Sequence, residues 1–556
     1  MPTPTPSSIL LAFASVAVLA GRWSRVKDNA YWFAAVLVVL ILAAAGVVMA
    51  PLTSTISEDL LRRQSVWIND PLAACEQWLI LFVGLLTALS MIDIQERERP
   101  SIASCGYILF ALAGLMLVAQ ANDLISLGLA LEIIRLAVGA LASGRDCSHP
   151  PTSRSSMIGS SDSTVYWMEW LASGLVWLGV ALLANSTAST QFDAIEAVLT
   201  ATYESPADSI TTAVPSRQIR LAAGMIVLGL LAQFGIAPYQ ALFRSVRTRT
   251  DWRATFVLLT GPLTGSIALT RLLGTVFVGL GQAIAILILT VSLATLALSA
   301  VLALRSMSSG VKSIPTIMSS LMLLQVCWLA VGLMTVSIEL AHSPSRWGAF
   351  STQLDSLALI IFSQLSFVLI VGSLIAGFAY LGRLDRDVEF LEDLKGLSQY
   401  SPWMSILLSV GLLSAVGGPL TIGFWSHWWM MIAGCNVHVR SSVSEFSPHG
   451  GVRFLVLMSV LTTAVVGVAV VRIAREMFLE SPLAQPNAVG GRGVFMTSVI
   501  ASTVCLLLGL FPQAVIRPLS IVRASRLQPV PTNRRGSGNN SIGSHVRKPA
   551  HSNEDF

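Results

Sequence analysis

Charge is what this 556-residue chain has least of: Asp, Glu, Lys and Arg together make up 12%, against roughly a quarter in soluble globular domains. So few ionised groups cannot coat soluble domains of this size. With 54% hydrophobic residues and a mean hydropathy of +0.71, the apolar surface has to face lipid. Cysteine is sparse and unpatterned. Cys75, Cys105, Cys147, Cys327, Cys435 and Cys505 are scattered without a C-x-x-C pair, most of them in apolar runs, which argues against a disulfide framework, a zinc site or an iron–sulfur cluster. Walker loops are missing, as is any G-x-G-x-x-G behind a strand pattern, so no nucleotide or dinucleotide site is expected. The formal charge of +5 and pI near 9.0 do not imply a nucleic-acid partner either. Many of the cations lie in short loops and in the tail, where they act first as an orientation signal.

Long apolar runs are what the chain has in quantity. A helix needs roughly 20 apolar residues to cross the hydrocarbon core, and runs that meet or approach this lie near 8–20, 31–51, 72–92, 101–120, 124–143, 165–185, 218–238, 254–275, 282–304, 314–336, 356–381, 402–433, 453–471 and 494–516. The expected fold is an all-α polytopic membrane protein of about fourteen helices. The first run is short, but it has neither a basic residue ahead of it nor a convincing cleavage site, and it is kept as a span instead of a signal peptide. Loop cations support the count. About nineteen Lys and Arg follow odd-numbered helices, such as Arg145, Arg154, Arg244, Arg247 and Lys312, against about seven after even-numbered ones. Both termini then face away from the cytoplasm or matrix. The basic tail beyond Pro518, rich in Ser, Gly, Asn and Pro, opposes that orientation and is expected to be disordered.

Two spans look broken. Helix seven runs into LAQFGIAPYQALF, 231–243, with Pro238 inside the apolar run; helix twelve contains SAVGGPLTIGFWSHWWMM, 414–431, with Gly417, Gly418 and Pro419 in its interior. A proline inside a helix costs on the order of 3 kcal/mol. In lipid the freed carbonyls need protein or water as partners. A simple proline kink is one reading. Two breaks five helices apart favour another, an internal repeat with a transport site in each half.

Ionisable groups inside the spans are few. Glu132 lies well inside helix five and Arg135 follows three residues later on the same face, within ion-pair reach. The pair either fixes packing or holds a carboxylate for proton relay. His427 is the one histidine inside a span, a turn beyond the helix-twelve break. An imidazole titrates near pH 6.5 and so can load and release a proton; the alternative is a hydrogen-bonded structural histidine among Trp425, Trp428 and Trp429. Glu76, Glu169 and Arg271 lie nearer helix ends, where snorkelling to the interface would accommodate them. Lys312 precedes Pro315 at the start of a span and fits an interfacial anchor.

Taken together, these residues resemble the antiporter-like membrane subunits of proton-pumping NADH:quinone oxidoreductase, respiratory complex I, most closely its chain 2, the bacterial chain N. The segment Asn122-Asp123-Leu124 followed by Leu131-Glu132 is similar to the family's fifth helix, with Glu132 at its essential glutamate. Residues 308–334 are similar to its K-R-x-L-A-Y-S-S segment, which places Lys312 among the site candidates. The match at 391–429 is the most specific, with K-G-L, S-P and P-L-x-x-G-F in the family's order. The resemblance implies two inverted five-helix repeats with discontinuous helices seven and twelve. The corresponding divisions are 1–100 for helices one to three, 101–275 and 276–475 for the two repeats, 476–520 for the last helix and 521–556 for the tail.

The departures from the family matter as much. Where its members carry a lysine before the helix-seven break this chain has Gln233, the helix-eight stretch Gly261, Pro262, Leu263 and Thr264 has no lysine, and His427 stands where helix twelve has one. Gln cannot carry a proton, so conduction through the first half would rely on water or be lost, and the chain could be a pumping-deficient structural subunit. The implied function is a membrane-arm subunit of complex I contributing to proton translocation, with Glu132 and His427 as the relay and Arg135, Gln233 and Lys312 as further site residues. No cofactor is expected in this chain: FMN, iron–sulfur clusters and quinone would belong to partner subunits. Partners would be other membrane-arm subunits of a hetero-oligomer, and lipids. A cation/proton antiporter subunit is the alternative. Divergence from the usual family residues and the basic extension favour the mitochondrial inner membrane over a bacterial plasma membrane.

Overall fold

An apolar segment alone in hydrocarbon can satisfy its backbone only as a helix, and helices account for nearly all of this structure. The computed structural model describes residues 6–20, 29–53, 66–92, 102–142, 161–204, 213–235, 252–277, 280–307, 314–342, 356–382, 391–436, 448–481 and 491–516. Pro238, Lys312, Arg145, Arg154, Arg244, Arg247 and the basic tail lie outside the described residues. In chain order the helices of more than four residues are α1 (Pro6–Ala20), α2 (Asn29–Thr53), α3 (Pro71–Ser90), α4 (Ile102–Gln120), α5 (Leu124–Ala142), α6 (Ser161–Thr187), α7 (Phe192–Glu204), α8 (Ala213–Gln233), α9 (Trp252–Thr275), α10 (Gly281–Met307), α11 (Ile314–His342), α12 (Ser356–Gly382), α13 (Pro402–Ala415), α14 (Ile422–Asn436), α15 (Pro448–Phe478) and α16 (Arg492–Leu510). Among the described residues, ten helices are long and apolar enough to cross a membrane. Among the described residues the only extended pairing is two isolated bridges, Trp67 with Ala121 and Asp123 with Gln191.

Burial sorts the spans into inner and outer. An 18-residue stretch within Ile314–Ile338 of α11 is wholly buried, and 94% of the residues in the corresponding stretches of α9 and α12 are buried, against 33% in α6 and 39% in α15. Small residues let the helices approach, as expected where lipid supplies no hydrophobic drive. Ser299 Oγ donates to Ser320 O at 2.9 Å and Ser320 Oγ to Ser299 O at 3.0 Å, a reciprocal clasp between α10 and α11. Between α6 and α8, a Cβ on Gly229 would come within 2.6 Å of Ala172 O.

Two residues expected to snorkel do not. Arg271, four residues before the end of α9, is 1% exposed; its Nη1 donates to Asp70 Oδ2 at 2.7 Å and its Nε to Ala121 O at 3.0 Å. Asp70 also caps α3 by accepting Ala73 N at 2.8 Å. The guanidinium therefore ties three segments together, with partners 150 and 201 residues away in sequence. Glu76 is fully buried as well. That end of the bundle is covered by protein, since Ile68 N donates to Gln120 O at 2.8 Å and Asn122 N to Val66 O at 3.0 Å.

Candidate functional site

The first cluster sits on α5. Asp123 starts that helix, its Oδ2 accepting Ile125 N at 3.0 Å and Ser126 N at 3.1 Å, an N-cap arrangement. Nine residues on, Glu132 Oε2 accepts Arg135 Nε at 2.7 Å and also Nη2, so the expected pair is formed. The other oxygen, Oε1, accepts Ser173 Oγ and, at 3.2 Å, Trp177 Nε1. Both donors come from successive turns of α6, which the sequence around Glu132 gives no sign of. The Arg135 guanidinium lies 4.0 Å from the centre of the Trp170 ring, a cation–π contact.

The second cluster surrounds the break between α13 and α14. Gly417 has φ +70°, its N donates to Ser414 O at 3.1 Å and Gly418 N donates to Leu413 O at 2.8 Å. That is a complete Schellman termination. The helix is ended by Gly417, with Pro419 following the cap, so the break is a built helix end and not a proline kink. The Ala415 carbonyl left over is met by Gln325 Nε2 of α11 at 2.5 Å, which answers the requirement that irregular backbone at membrane depth find protein partners. Close approach also fixes the second half-helix: Gly423 N donates to Ser414 Oγ at 3.2 Å, and a Cβ there would come within 1.9 Å of Ser414 O.

His427 lies on α14, buried at 7% exposure and stacked on Trp328 with centroids 4.6 Å apart and planes at 15°. Its Nε2 is buried with no hydrogen-bond partner among the described residues. A Cβ on Gly417 would meet its Nδ1 at 2.6 Å, so the break itself forms one wall of the imidazole site. Beside it, the Ser426 and Ser363 hydroxyls lie 2.7 Å apart. Gln364, next on α12, donates through Nε2 to Ser266 Oγ of α9 at 3.2 Å, while its Oε1 is buried without a partner among the described residues.

The first break shares the same chemistry. α8 ends at Gln233, earlier than Pro238 would dictate, with Gly235 at φ +83° and Gly235 N donating to Ala232 O at 3.0 Å. Gln233 Oε1 is buried without a partner among the described residues. Gly265 of α9 lies against this end, since a Cβ there would come within 2.7 Å of Phe234 N. An uncharged series thus runs from Ser266 of α9 to Gln364 and Ser363 of α12 and on to Ser426 and His427 of α14. Glu132 and Arg135 pair with each other, and no hydrogen bond links them to His427. Gln325 and Gln364 escaped the reading of the sequence. A lone amide inside an apolar run is itself the available signal, since a buried amide demands partners.

Comparison with known proteins draws on these same helices. Residues 346–447, which contain α12, α13, the break and α14, match the transmembrane family described as NADH:quinone oxidoreductase/Mrp antiporter. That segment is similar to antiporter-type membrane domains. A curated relative, NADH-quinone oxidoreductase subunit N of Paramagnetospirillum magneticum, is 23% identical over 518 residues, covering 92% of this chain and 95% of its own. In solved structures, a chain of respiratory complex I from Thermus thermophilus with bound aureothin aligns at a TM-score of 0.66 and 18% identity, covering 92% of this chain and 99% of its own. A chain of the Mrp complex from Dietzia sp. aligns at 0.68 and 17%, covering 94% and 98%. The antiporter-like fold therefore extends over nearly the whole chain, well beyond the segment that the family description matches.

Proposed function

We propose that this chain is a membrane-arm subunit of a proton-pumping NADH:quinone oxidoreductase, contributing to proton translocation coupled to electron transfer from NADH to quinone. The observation that carries the reading is His427, a buried imidazole with an open Nε2 walled by the built helix break of an antiporter-type domain. Subunit N relatives align along more than nine-tenths of the chain. On this reading the chain crosses the membrane fourteen times in two inverted repeats, and Glu132, Arg135, Gln233, Lys312 and His427 belong to the proton path. It holds no cofactor of its own. FMN, iron–sulfur clusters and quinone reside in partner subunits, and the assembly sits in the mitochondrial inner membrane or, alternatively, in a bacterial plasma membrane.

A cation/proton antiporter subunit is the second reading, favoured by the fold shared with the Mrp complex. The experiment that separates them is native electrophoresis of mildly solubilised membranes carrying a C-terminally tagged chain. Migration in a large complex with flavin and NADH dehydrogenase activity is the expected result. A flavin-free species would move the antiporter reading to first place. A complex that pumps equally well after replacement of both Glu132 and His427 would instead make the chain a structural subunit.

A further inference from the structure

Glu132, the carboxylate that the sequence brings forward, has little room for a proton. Its Oε2 accepts two donors from Arg135 and its Oε1 accepts Ser173 Oγ and Trp177 Nε1. An ionised carboxylate offers about four lone-pair sites, and four donors occupy them. Protonation would require one of these hydrogen bonds to be broken first.

A second carboxylate stands one helical turn away. Glu169 precedes Ser173 by four residues on α6, which places the two on one helix face about 6 Å apart along the axis. It is half-buried and within electrostatic reach of Arg135, yet it makes no hydrogen bond or ion pair with any described residue. It also lies toward the side where α5 ends and α6 begins, so it stands between that face of the membrane and the closed pair. The α6–α8 register adds Gln233: Gly229 lies against Ala172 and Val176, and one turn further along both helices brings Gln233 to the level of Glu169.

The other charged groups on the helices packed against α6 lie elsewhere. Besides Glu132 and Arg135 on α5, they are Arg217 and Arg220 at the far end of α8, and Asp193, Glu196 and Glu204 on α7, which follows the other end of α6.

We infer that Glu169 is the carboxylate that loads and releases the proton in the first half of the chain, with Glu132 serving as the fixed counter-ion of Arg135. The inference rests on the reading of the chain as a proton-translocating subunit. Only an O–H bond is formed and broken: a proton from water binds a Glu169 carboxylate oxygen, giving the neutral acid, and later returns to water. Loading changes the cluster of Glu169, Arg135 and Glu132 from a net charge of one negative unit to neutral, while the ion pair stays closed.

Infrared titration of the purified full chain in lipid nanodiscs tests this without any partner subunit. The wild-type chain is expected to show a titrating carboxylic-acid C=O stretch that disappears in Glu169→Gln and persists in Glu132→Gln. Loss of the band in Glu132→Gln with retention in Glu169→Gln, or a wild-type chain with no such band, overturns the inference. Should a variant fail to fold, reaction of the wild-type chain with a hydrophobic carbodiimide, mapped by mass spectrometry, gives the same answer. At least tenfold more adduct is expected on Glu169 than on Glu132, and equal labelling or a preference for Glu132 overturns it. Because both measurements use the isolated chain, their outcome is separate from whether the chain migrates with flavin in a native complex.

Discussion

The two halves of the chain hold their buried polar groups differently. In the first half two charged pairs are closed, Arg271 with Asp70 and a backbone carbonyl and Arg135 with Glu132, and the open groups, Glu169 and Gln233, stand apart from those pairs. In the second half, around the α13–α14 break, the groups are uncharged and partly open, with His427 Nε2, Gln364 Oε1 and Ser366 Oγ buried without partners among the described residues. A satisfied ion pair fixes backbone geometry and has no vacancy at which to exchange a proton. An open donor or acceptor adds nothing to stability, yet it is where water or a proton can be received. Stability and conduction therefore fall to different residues, and substitution separates them.

The largest effect is expected at Arg271. Removing one member of a buried pair leaves the other charge uncompensated, at a cost of about 3–5 kcal/mol. Arg271→Ala should lower the thermal unfolding midpoint of the detergent-purified chain or prevent its accumulation. Replacing both partners, as in Arg271→Met with Asp70→Asn, should recover more than half of the loss. Failure of the double variant to recover would mean that the first half depends on the charges themselves rather than on their mutual satisfaction.

The second-half break should respond next most strongly. Gly417→Ala places a Cβ on a residue at φ +70°, 2.6 Å from His427 Nδ1, combining about 1–2 kcal/mol of left-handed strain with about 1–3 kcal/mol of overpacking. Gln325→Leu keeps the volume but strands the Ala415 carbonyl, for about 1–3 kcal/mol. Thermal melts of both variants check the order. If Gln325→Leu were neutral, water and not Gln325 would be serving that carbonyl.

Much of this was legible in the sequence, within limits set by how far apart the partners lie. The Glu132–Arg135 pair follows from a spacing of three on one helix face, and the helix-twelve break from Gly417, Gly418 and Pro419 in an apolar run. The cause of the break was not: Gly417, through its left-handed backbone, ends the helix before Pro419 is reached. Arg271 and Glu76 were misread because the protein that covers them comes from segments distant in the chain. Ser173 and Trp177 were invisible for the same reason, since a donor on another helix leaves no mark near its acceptor. The uncharged series through Gln364 was recoverable in part, because an amide in a lipid-length apolar run needs an explanation.

His427 sharpens the contrast most while changing stability least. Its Nε2 has no hydrogen bond to lose among the described residues, so His427→Gln should forfeit chiefly the stack on Trp328, about 0.5–1.5 kcal/mol, and the thermal midpoint should barely move. Proton translocation should nevertheless fall well below that of the wild-type assembly, because Gln has no titratable proton to pass on. Proteoliposomes containing the whole complex, assayed for proton uptake and for NADH oxidation in parallel, distinguish a conduction defect from a folding defect. A His427→Gln assembly that pumps normally would show that the open imidazole is a packing element beside Trp328 and not the proton carrier of the second half.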